Sequence, residues 1–90
     1  MGKSDSGLVA RAKAGDRASF DRLVRDNYAL VYNTAYRMLG DHSAAEDATQ
    51  TAFVRAYSSL GRFRGGSTFS TWLYRIVSNV CLDVLRGRKD

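Results

Sequence analysis

The segment Arg62-Phe63-Arg64-Gly65-Gly66-Ser67-Thr68-Phe69-Ser70-Thr71-Trp72-Leu73-Tyr74-Arg75 sets basic and aromatic side chains around a Gly-Gly pair. Guanidinium groups neutralise phosphates, and aromatic faces stack on exposed bases. That combination suits a single-stranded nucleic-acid surface. The charge distribution points to the same stretch. Residues 1–54 carry seven basic and seven acidic side chains, whereas residues 55–90 carry seven basic and two acidic ones. The whole net charge of +5 therefore lies in residues 55–90. The competing account of such a run is a solvated basic helix end with no partner.

Two further constellations have chemical meaning. Arg75, Asn79 and Arg86 fall at i, i+4 and i+11. On a helix that spacing gives one polar face. Arg pairs with guanine or grips phosphate, and Asn reads adenine. Asp83 borders the same face and competes for Arg75, Arg86 or Arg88 as a helical ion pair. Asn79 also has a plain reading as a solvent-facing residue. The second constellation is Asp47, Gln50, Thr51 and Val54, at i, i+3, i+4 and i+7. This ridge is mildly acidic and partly apolar, and suits a basic partner helix. An equally good account gives Asp47 to the helix dipole and Glu46 to a capping box.

No catalytic set can be assembled. His42 is the only histidine, and no Ser/His/Asp or Cys/His group or cleft-flanking carboxylate pair can be inferred. The expectation is a binding domain, not an enzyme, with no metal and no cofactor. Cys81 stands alone among Val80, Leu82 and Val84. A single cysteine makes neither an internal disulfide nor a multi-thiolate metal site, fits a reducing cytoplasm, and reads as a buried structural thiol.

The elements that position these residues read as helices. With no proline and many Ala, Leu and Arg residues, nothing breaks a long helix. The fold class expected is all-α, a compact bundle of about four helices. The first runs from about Leu8 to Ala14, behind a flexible tail at residues 1–7. Asp16 caps the second, whose stripe is Phe20, Leu23, Val24, Val31, Ala35, Met38 and Leu39, stopped by Gly40. Ser43-Ala44-Ala45-Glu46 has the form of a capping box and opens the third. Its inner face is Ala45, Ala48, Ala52, Phe53, Ala56 and Leu60, with alanines that allow close approach. Residues 61–67 form the one long loop, with Gly65-Gly66 as its flexible point. The fourth helix runs from about Thr68 to Arg86 on a stripe of Phe69, Leu73, Ile76, Val80 and Val84, widened by Trp72, Val77, Cys81 and Leu85. Ninety residues make one domain with one modest core. No apolar run approaches the ~18 residues that a membrane span needs. The start of the chain lacks the form of a signal peptide.

The run Asp41 to Tyr57, followed by Phe63 to Asn79 and Asp83 to Arg86, resembles region two of bacterial RNA polymerase sigma factors, most of all the small extracytoplasmic-function (ECF) type. The resemblance covers about Leu8 to Arg88, and the joint order of the two motifs is highly specific. It implies a helical domain at residues 8–88 that docks on the coiled coil of the polymerase beta-prime subunit. That domain would open and read the promoter −10 element on the non-template strand.

By resemblance, Asp47 and Gln50 match the family's Asp-x-x-Gln polymerase contact, with Thr51 and Val54 beside it. Thr51 departs from the acidic residue usual there. Arg62, Phe63, Arg64, Gly65, Gly66 and Ser67 match the loop that shapes a pocket for a flipped-out base. Arg75 and Asn79 match helix positions facing promoter DNA, with Arg86 further along that face. Extruding a base costs a few kcal/mol, which pocket and stacking contacts must offset. The paired tryptophans of primary sigma factors align with Arg75 and Ile76, and Trp72 reads as core, which again resembles the ECF type. The resemblance further implies an anti-sigma partner, a cytoplasmic location, and a linker starting at residues 89–90 towards a helix-turn-helix domain missing here. The alternative is a helical bundle whose basic face meets a protein partner or anionic lipid without DNA specificity. It would need neither the glycine loop nor Asn79.

Overall fold

The computed structural model describes the backbone of residues 2–88, and side chains from Ser6 to Arg88. Four helices follow one another: α1 (Gly2–Lys13), α2 (Arg17–Leu39), α3 (His42–Ser59) and α4 (Phe69–Gly87), with a 3-10 turn at Leu60–Arg62 before α4. Among the described residues there is no strand. Helix α2 packs against all three other helices, and α3 also packs on α4. The bundle measures 41 × 21 × 21 Å.

The apolar stripes become the core. Leu23, Val31, Leu73, Val77 and Cys81 are fully buried at its centre. On α3, Ala45, Ala48, Ala52 and Ala56 are buried, so the backbone of α3 lies close to its neighbours. On α4, Val77 takes the central position, while Ile76 and Val84 pack at the edge. The Cys81 thiol is free and buried, and burial pushes its pKa up from the ordinary value.

Local rules set most boundaries. Asp16, extended at φ −78°, accepts from the backbone N–H of Ala18 and the hydroxyl of Ser19. The Ser19 hydrogen bond, foremost, lowers the Asp16 pKa. Gly40, at φ +70°, closes α2 with its N–H on Tyr36 O. Thr68 caps α4 by accepting from the Thr71 N–H at 3.1 Å.

Two expectations change. Helix α1 begins at Gly2, not Leu8, so residues 2–7 continue the helix where a tail was expected. No proline interrupts this stretch, so the helical pattern of Leu8, Val9 and Ala12 extends backwards. The expected linker residues 89–90 lie outside the described residues. Helix α3 is capped by Asp41, whose Oδ2 accepts from the Ala44 N–H at 2.8 Å. Asp41 is extended, and the helix starts at His42, so Ser43 is already inside the first turn. Glu46, free of a capping box, lies 3.4 Å from His42 Nε2.

Candidate nucleic-acid and protein interfaces

The loop between the 3-10 turn and α4 is held at both ends. At its entrance, Phe63 turns its ring into the bundle, where it is 9% exposed. The ring meets Phe69 edge-on at 5.8 Å and Trp72 at 5.1 Å. At its exit stands the Thr68 cap. Between these points Arg64, Gly65 and Gly66 are exposed and Ser67 is half-buried. Gly65 sits at φ +79°, which favours glycine. Phe63, which the resemblance places in the pocket-shaping loop, therefore has most of its ring buried. Its ring is a floor for the loop, consumed by the aromatic cluster that also absorbs Trp72. Arg62 and Arg64 stay exposed, and among the described residues neither forms an ion pair or side-chain hydrogen bond.

Beside the loop lies an open groove of about 790 Å³. One wall is the loop from Phe63 to Phe69. The other is α1, through Val9, Ala10 and Lys13. The sequence reading had no role for α1. The Lys13 ammonium donates to the carbonyl of Phe63 at 2.6 Å, across 50 residues of chain. No local pattern signals such a contact.

On α4, Arg75 and Asn79 share an exposed face and have no side-chain partner among the described residues. Arg86 differs. Its Nη1 lies 2.7 Å from Asp83 Oδ1, and Asp83 Oδ2 lies 3.5 Å from Arg55 Nη1 on α3. Asp83 therefore joins Arg86 and Arg55, and leaves Arg75 free. Arg88 donates to the carbonyl of Leu39, a C-terminal carbonyl of α2.

On α3, Asp47, Gln50, Thr51 and Val54 are all exposed and, with Arg55, line a shallow depression of about 460 Å³. Val54 is 66% exposed, a large apolar side chain with no intramolecular reason to be there. The ridge read from the sequence is thus one continuous surface, on a different helix from the loop. Among the described residues, no three His, Cys, Asp or Glu side chains gather as a metal site, and no helix is long and apolar enough to cross a membrane.

Residues 23–90 match the family model described as Sigma-70 region 2. The chain is 42% identical to the RNA polymerase sigma-H factor of Pseudomonas aeruginosa, over 97% of this chain and 46% of that protein. It is 41% identical to the ECF RNA polymerase sigma factor SigW of Bacillus subtilis, over 90% of this chain and 43% of that protein. The chain thus spans about half the length of these curated relatives. Among solved structures, an engineered region 2 of sigmaE in complex with GTAAAA superimposes with a TM-score of 0.87 and 34% identity, covering 94% of this chain and 88% of that one. The two share one fold.

Proposed function

The chain belongs to the Sigma-70 region 2 family, and from that premise we propose a promoter-recognising domain with two working surfaces. The depression on α3, through Asp47, Gln50, Thr51 and Val54, docks on the coiled coil of the polymerase beta-prime subunit. The loop Arg62–Ser67 and the α4 face, through Arg75, Asn79 and Arg86, recognise and melt the −10 element on its non-template strand. Residues 8–88 carry this work. It is binding work without catalysis, carried out in the cytoplasm and held in check by an anti-sigma factor.

One observation carries the proposal. The residues matched to polymerase docking and those matched to DNA reading occupy two separate surfaces on different elements, each concave or exposed. The solved relative in complex with GTAAAA supports the DNA half. Within that half, Gly65 and Gly66 supply a narrow, bendable rim. Arg64 supplies charge, and Phe63 keeps the rim in place from below. Arg75 and Asn79 are free to meet bases or phosphates because, among the described residues, no neighbouring side chain occupies them. Arg86 reaches DNA only by loosening its pair with Asp83.

The test crosses two variants with two ligands. Asp47→Arg should weaken binding to a beta-prime coiled-coil fragment about tenfold or more, and leave binding to −10-like single strands unchanged. Asn79→Ala should do the reverse, with a loss of discrimination at one base. If each variant weakened both ligands equally, the division of surfaces would be wrong.

A further inference from the structure

The groove beside the loop is built by two elements far apart in sequence. Its described lining includes two cations, Lys13 and Arg64, and no carboxylate. The rest is mostly apolar or glycine backbone, from Val9, Ala10 and Phe69 to Gly65 and Gly66. An apolar slot with the Arg64 guanidinium at its rim takes a planar ring attached to an anion, which is the chemistry of one nucleotide.

The position of the loop sets the width of that slot. Its middle holds adjacent glycines, with Gly65 in the left-handed region, so local sequence does little to stiffen it. Its exit is fixed by the Thr68 cap on α4. At its entrance the Phe63 ring is fixed by Phe69 and Trp72, and the Phe63 carbonyl by the Lys13 ammonium at 2.6 Å. An ammonium has three donors, and the Phe63 carbonyl occupies one. A charge-assisted bond to a backbone carbonyl outlasts ordinary loop fluctuation better than a neutral one.

We propose that Lys13 of α1 is a positioning residue for base selection: by holding the Phe63 carbonyl it sets the width of the groove in which the loop encloses one extruded nucleotide. Helix α1 is then one wall of the nucleotide site as well as part of the bundle. The inference rests on the flipped-base reading of the loop. A residue that only added charge would strengthen every sequence alike. A residue that sets the width sharpens one base against the other three.

The experiment compares wild type, Lys13→Met and Lys13→Arg by fluorescence anisotropy on −10-like single strands carrying each base at each position, with a scrambled strand as reference. Methionine keeps the length and removes donor and charge, whereas arginine keeps both. Lys13 is exposed, so thermal unfolding should not change in either variant. Lys13→Met should lower the preference at one position by about tenfold, leave the scrambled strand unchanged, and speed amide exchange at residues 64–67. Lys13→Arg should restore both. If Lys13→Met weakened all strands equally and lowered the salt slope by about 0.7, Lys13 would be a phosphate contact and the positioning role would be wrong. Retained preference in Lys13→Met would overturn this inference alone. A wild-type protein that binds every strand equally would overturn the flipped-base reading and this inference with it.

Discussion

The Ser70 hydroxyl on α4 donates to Oδ1 of Asn27 on α2 at 3.0 Å. The Asn27 amide in turn donates to the carbonyl of Leu23 at 2.8 Å. Asn27 is 5% exposed and its bond to Leu23 is buried, while the bond from Ser70 is partly shielded from water. This polar link pins the first turn of α4, the turn that also holds Phe69 under the loop. Asn27→Ala leaves the Ser70 hydroxyl without its partner and opens a small cavity, and should cost about 1–3 kcal/mol. Ser70→Ala alone should cost less. The double variant should be more stable than the sum predicts, because the pair is coupled. Urea unfolding of the four proteins checks this, and strict additivity would mean the bond adds nothing.

Asp83 governs how much positive charge α4 presents. Its carboxylate is shared between Arg86 and Arg55. Both pairs are exposed and contribute little to stability. Their effect should instead appear in DNA binding. Asp83→Asn frees both guanidiniums and should tighten single-strand binding, with a salt slope steeper by about 0.7 for each phosphate gained. Arg64→Gln should shift the slope by a similar amount in the other direction. Titrations at several salt concentrations decide it. An unchanged slope in Asp83→Asn would place Arg86 away from the DNA.

The buried thiol of Cys81 gives a pH dependence. Burial raises its pKa above the ordinary 9.0. The unfolded chain therefore loses the thiol proton at lower pH than the folded one. The stabilising contribution is complete below pH 9 and declines as pH rises through 9 towards the folded value. Wild type should accordingly lose more stability between neutral and strongly alkaline pH than Cys81→Ala does. Denaturant midpoints of the two proteins across that range check it, and parallel curves would mean that the thiol titrates alike in both states.

What periodicity and punctuation govern was legible. The α2 stripe ends at Gly40 because a left-handed residue there needs no side chain, and the alanines of α3 mark its buried face whatever packs on it. The α3 ridge was legible too, since residues three and four apart share a face. Competition between neighbouring polar residues was less so. Asp41 and Ser43 both suit a cap, and only the extended backbone of Asp41 decides between them. Thr49 reads as polar, yet is buried with its hydroxyl on the Ala45 carbonyl of the preceding turn. The contacts that shape the loop were out of reach. Lys13 to Phe63 and Ser70 to Asn27 join residues 50 and 43 apart, and nothing local announces either. The burial of the Phe63 ring was out of reach for the same reason. An aromatic in a basic loop suits a base, but Phe69 and Trp72 take its ring first.

The central claim is that the loop reads a base while α3 holds the polymerase. The most direct measurement exchanges residues 62–67 for the loop of another ECF sigma factor and titrates two ligands. Anisotropy on −10-like single strands, carrying every base at each position, reads the loop. Calorimetry with the beta-prime coiled-coil fragment reads α3. The exchange should change the preferred base at one position, with discrimination of about 1–3 kcal/mol, and leave affinity for the coiled coil as it was. If it scaled the affinity of every strand equally, the loop would be a phosphate clamp, and the account of a base-reading pocket would be contradicted.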